Sequence, residues 1–122
     1  MIMRKNIVAG NWKMNNDWVD SIGSNNGTPA FDAGFDTGAK LGSHSGTFDG
    51  TGDTVDLGDL DAIENIANLS FSGWFYFNSL PDFNYWVLGN GYNRVGTLNA
   101  DELMVDIGGI YGETADNTLF LN

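Results

Sequence analysis

The sequence predicts an all-β protein built as an antiparallel β-sandwich, and three observations predict it. Short apolar runs recur along the chain, separated by turn chemistry: 17 Gly and 15 Asn against 2 Pro in 122 residues. One run, residues 69–77, alternates strictly with a period of two. Helical periodicity is confined to one short segment, so a β/α architecture with repeated long helices has no support. The length fits a single domain, 1–122. Aromatic residues make up 13% of the chain, enough to build a core and too many for a disordered one.

Taken in order, residues 6–14 read as an apolar strand. It ends in "MNNDWVDSIGSNNGT", where Asn15-Asn16, Gly23 and Asn25-Asn26-Gly27 accept the left-handed conformations of tight turns. "TPAFDAGF", residues 28–35, is a short strand with Pro29 near its start, where a missing N–H does least harm. "GTFDGTGDTVDLGD" holds two brief strands around Asp49-Gly50 and Gly52-Asp53. Residues 59–68 are the best helical candidate, capped by Asp59 or Asp61, with Ile63, Ile66 and Ala67 on one face. In residues 69–77, Leu69, Phe71, Gly73, Phe75 and Phe77 point one way, which predicts a strand with a buried face. "YWVLGNG", "ELMVDIG" and "NTLFLN" (85–91, 102–108 and 117–122) complete the strand set.

Charge narrows the functions. The net charge is −11, and Arg94 alone among the basic residues lies beyond position 40. A phosphate backbone would be repelled over most of this surface, so nucleic-acid binding is not expected. Cations, neutral sugars and basic protein surfaces are the compatible partners. The chain has no cysteine, which removes disulfides and thiolate metal sites. No run reaches the ~20 apolar residues of a membrane-spanning helix. The N-terminus has no apolar signal-peptide core.

"IVAGNWKMN", residues 7–15, resembles the first strand of triosephosphate isomerase. That resemblance implies active-site roles for Asn11 and Lys13, but it covers only residues 3–15. "LGSHSG" (41–46) resembles the family's histidine segment but lacks its Glu and both Arg. "DIGGIYG" (106–112) resembles a phosphate loop with no helix after it. Nothing resembles the family's glutamate loop, and the chain is about half the ~250 residues of such a barrel. Isomerase activity is not expected.

A wider resemblance absorbs the same residues. An apolar strand is followed by Asp20, Ser21, Gly23, Ser24, Asn25, Asn26, Gly27 and Thr28. Next come Gly38, Gly42, Phe48, Asp49, Gly50, Asp53 and Val55, and then "LSFSGWFYF". This order over residues 7–89 resembles a laminin-G-like, concanavalin A-like jelly-roll domain. The resemblance implies a non-catalytic recognition or adhesion module that binds glycan or protein partners, commonly with a calcium ion. It also implies an extracellular, cell-surface or virion setting among the other domains of a larger chain. A purely structural sandwich domain is the alternative. Two strand motifs usual later in the family are missing, so the domain is expected to be incomplete at its C-terminus.

On this reading the calcium oxygens are expected from Asp20 and Asn25 in the first turn and from Asp49 and Asp53 in the second. The other role open to them is capping turns through Asx hydrogen bonds. Trp18, Tyr92 and Tyr111 sit in loop-like stretches and are the candidates for stacking on a ligand, with core burial the competing role. Some concanavalin A-like sandwiches are glycoside hydrolases that carry three acids on one strand. Here Glu102 and Asp106 share a face, with no third acid at that spacing. His44, the one histidine, has no second His and no motif-placed Asp to make a triad. No catalysis is expected.

Overall fold

The computed structural model describes residues 8–60, 63, 70–79, 85–89, 93–98, 102–107 and 110–113. The chain gathers into two compact units, Met1–Trp74 and Phe75–Asn122. Every strand pairing is antiparallel, and no α-helix occurs among the described residues. The all-β, antiparallel class read from the sequence therefore holds. The predicted helix at 59–68 and the strand at 117–122 fall largely or wholly outside the described residues. Of the helix segment, Ile63 donates its N–H to Leu60 C=O at 2.8 Å, closing a single turn.

The first unit holds two short ladders. β1 (Thr28–Ala30) pairs with β4 (Thr54–Asp56), and β2 (Gly34–Asp36) pairs with β3 (Ser45–Thr47). Their focus is Trp18, which is 9% exposed. Its ring lies 4.3 Å from Phe35 and 5.9 Å from Phe48, centroid to centroid. Glycine makes this approach possible: a Cβ on Gly46 would sit 2.7 Å from Trp18 Cη2. A Cβ on Gly27 would sit 2.5 Å from Val55 Cγ1 and 2.9 Å from Trp18 Cβ.

The second unit is one four-stranded meander. β5 (Tyr85–Gly89), β6 (Asn93–Leu98), β7 (Glu102–Ile107) and β8 (Ile110–Glu113) pair in chain order. A bulge between Trp86 and Leu88 interrupts the first pairing. Register puts Val95 opposite Val105 and Arg94 opposite Asp106. Because side chains alternate, Val95 and Thr97 are buried on one face, and Met104 and Asp106 on the other. The "DIGGIYG" string is the β7–β8 hairpin, with Ile107 opposite Ile110 and only Gly108-Gly109 between them in sequence.

Three expected strands are corrected. Residues 28–35 are not one strand: β1 ends at Ala30, the chain turns at Phe31-Asp32, and β2 starts at Gly34. Of the apolar opening, 6–14, only Trp12 pairs, in a single bridge to Asp20; residues 6 and 7 lie outside the described set. Residues 70–77 form no ladder, and Phe71, Trp74, Phe75 and Tyr76 are exposed, the last to 85%. The reason lies in the pattern itself. Both faces of this run carry aromatic side chains, so alternation does not choose an inward face, and no strand among the described residues lies beside it to bury one.

Candidate metal centre

The first turn is organised around Asp20. Asp20 Oδ1 accepts N–H bonds from Asn11 (3.0 Å) and Ile22 (3.2 Å), and its own N–H donates to Asn26 Oδ1 at 3.0 Å. Around it, Ser21 N–H and Oγ–H both donate to Asn11 C=O, and Trp12 Nε1 donates to Asn25 C=O at 2.7 Å. Asp20 is only 3% exposed. The Asn11 N–H does most to hold its carboxyl below the usual carboxylate range. Burial opposes that, and the N–H groups of Ile22, Asn25 and Gly23 add to it. Its Oδ2 is buried without a completed hydrogen bond and lies against Gly23. The Asn11 and Ile22 N–H groups both converge on Oδ1 and tie the carboxylate to two chain segments. Asp20 is a cap for two chain segments, and Asn25 serves through its backbone carbonyl. The structure does not bring these two together with Asp49 and Asp53.

A second acidic group has the opposite character. Asp32, Asp49 and Asp53 each offer a carboxylate oxygen, all within 4.8 Å of one another. The β1–β4 ladder creates this grouping. Its last pair is Ala30 opposite Thr54, so Asp53 directly precedes β4 while Asp32 follows β1 by two residues. Phe31 turns the chain there with φ +57°, a left-handed conformation unusual for an aromatic residue. On the facing loop, Gly50 and Gly52 take φ +84° and +88°, which glycine adopts without penalty. Asp53 Oδ1 accepts from Asp32 N–H (3.1 Å), and Oδ2 accepts from Asp49 N–H (2.8 Å). Thr51 N–H donates to Asp49 Oδ1 at 2.6 Å.

The electrostatics of this group follow from crowding. A side-chain hydrogen bond to Asp53, then the negative charges of Asp53 and Asp49, push the Asp32 carboxyl up. The Asp49 N–H, foremost, holds Asp53 down against the effect of burial, and the Asp32 side chain adds to it. Crowding thus moves the two carboxyls in opposite directions, Asp32 up and Asp53 down. Three carboxylates at one ladder end form a hard-oxygen set of the kind calcium takes, with water completing six to eight ligands.

Asp49 and Asp53 were legible from the Phe48-Asp49-Gly50 motif. Asp32 was missed, because it is 21 residues from its hydrogen-bond partner and only strand pairing brings the two together.

The stacking candidates fare differently. Trp18 is a core residue, buried because Phe35, Phe48, Gly27 and Gly46 close around it, so it presents no face to a ligand. Tyr92 lies outside the described residues. Tyr111 lies in β8 with its backbone opposite Asp106. Asp106 is buried, and its Oδ2 takes both Arg94 Nε (3.2 Å) and Nη2 (2.5 Å). Arg94 in turn stacks on Trp86, 3.9 Å from the ring centroid. His44 Nδ1 and Ser43 Oγ are 2.9 Å apart, a bond between chain neighbours. No family model, curated protein or solved structure matches the chain.

Proposed function

We propose that the chain is a non-catalytic recognition module of the laminin-G-like, concanavalin A-like kind, working within a larger extracellular, cell-surface or virion protein. In this reading the β1–β4 end binds calcium through Asp32, Asp49 and Asp53, and the ion presents that end to a glycan or protein partner. The observation that carries the reading is the convergence of three carboxylates, drawn from two loops, within 4.8 Å. The Asp53 side chain, through a hydrogen bond and then through its negative charge together with that of Asp49, raises Asp32, and a divalent cation among the three would offset that crowding of negative charge. The net charge of −11 supports attraction of cations to this surface.

The hydrogen bonds inside the group favour a second reading, a purely structural sandwich domain. Asp53 already caps two N–H groups and Asp49 one, so the loop is held in place by the protein alone. A glycan array and a panel of extracellular protein domains, probed in calcium and again in EDTA, separate the two. Binding that disappears with chelator and with Asp53→Asn supports the recognition module. Binding absent from both surfaces in calcium supports the structural domain.

A further inference from the structure

Packing and hydrogen bonding together hold a labile dipeptide in the first turn. Position 27 must be glycine, because a Cβ there would meet Val55 Cγ1 at 2.5 Å and Trp18 Cβ at 2.9 Å. Position 26 supplies a side-chain carbonyl that accepts the Asp20 N–H at 3.0 Å. Asn26-Gly27 meets both demands, and the missing Cβ lets the glycine nitrogen approach the preceding amide. In deamidation, the Gly27 nitrogen gives up its proton to solvent and attacks Asn26 Cγ. The Cγ–Nδ2 bond breaks and the nitrogen leaves as ammonia. Water then opens the resulting succinimide by breaking one of its two ring C–N bonds, which gives aspartate or isoaspartate.

We propose that Asn26 is a latent deamidation site, kept closed by the same turn that creates it. Asn26 is exposed to water, so access to solvent does not protect it. Two hydrogen bonds do. Gly27 N–H donates to Trp18 C=O at 2.7 Å, which ties up the proton that must leave and the nitrogen that must attack. The Asp20 N–H holds the Asn26 carbonyl back toward the start of the turn. Trp18, the acceptor for Gly27, is buried, so this bond opens only when the turn lifts from the core. Reaction at Asn26 therefore requires local opening, and its rate reports how often the 18–27 turn opens.

The test compares two rates on the full chain. Deamidation at Asn26 is followed by peptide mapping, in folded protein and in concentrated guanidinium chloride at the same pH and temperature. Exchange of the Gly27 amide hydrogen is measured in the folded protein. The expected result is a folded-state deamidation rate lower by roughly tenfold or more, the scale of one retained hydrogen bond, and matched by the protection of the Gly27 amide. Folded protein that deamidates at the denatured rate overturns the proposal. So does slow deamidation with a Gly27 amide that exchanges as in an open chain.

Discussion

Two aspartates show how the same side chain acquires opposite roles. Asp20 faces backbone N–H groups and is held in its charged form; Asp32 faces other carboxylates and is pushed toward its neutral one. Their pH dependences therefore have opposite signs. A carboxyl held low in the folded state stabilises above its unfolded value and loses that contribution as pH falls through the folded one. The Asp20 contribution is thus complete above the ordinary value of about 3.9 and lost in more acid solution. Asp32, raised, binds its proton more tightly when folded. Its repulsion with Asp53 and Asp49 is absent in acid and grows as pH rises past the ordinary carboxylate value. Asp20→Ala removes the acceptor for Asn11 and Ile22 and is expected to lower the melting temperature at neutral pH, with the gap from wild type closing in acid. A gap that stays constant down to strong acid would mean that the charge on Asp20 does not matter. Gly46→Ala forces a methyl against the Trp18 ring and is expected to cost about 1–3 kcal/mol in denaturant unfolding.

At the scale of elements, the meander and the aromatic run behave differently although both look like strands in sequence. In the meander, Arg94 stacks on Trp86 and binds Asp106 across the β6–β7 pairing. Arg94→Ala is expected to cost about 1.5–3 kcal/mol, the scale of hydrogen bonds to a charged group, and urea unfolding measures it. Residues 70–77 lack any such cross-strand partner. Phe71→Asp, damaging if that face were buried, is expected to change stability by no more than about 0.5 kcal/mol. A loss of several kcal/mol would show that Phe71 is packed. The comparison explains what the sequence revealed and what it hid. Strand character in β5 and β7 was legible because β-branched and aromatic residues lie between Gly/Asn turns, whereas β6, with Gly96 between Val95 and Thr97, offers no such run. The period of two in 69–77 was equally clear, yet period alone says nothing about whether a partner strand arrives. Asp49 and Asp53 were found through local motif. Asp32 joins them only through the pairing of Thr28–Ala30 with Thr54–Asp56, a contact that no short-range pattern encodes. Trp18 was read as a loop residue because its neighbours are turn formers, and its burial depends on glycines 9 and 28 residues away.

For the whole molecule, net charge sets the background against which any cation acts. At −11, added salt of any kind screens self-repulsion and is expected to stabilise the fold somewhat. A specific site must therefore show more than screening. The most direct measurement is thermal unfolding in millimolar calcium chloride against sodium chloride of equal ionic strength, for wild type and for Asp53→Asn. Binding to the folded state raises the midpoint by mass action. A calcium site at Asp32, Asp49 and Asp53 predicts a calcium-specific rise in wild type that Asp53→Asn abolishes. Identical midpoints in the two salts for wild type, or a calcium-specific rise that survives Asp53→Asn undiminished, would contradict it.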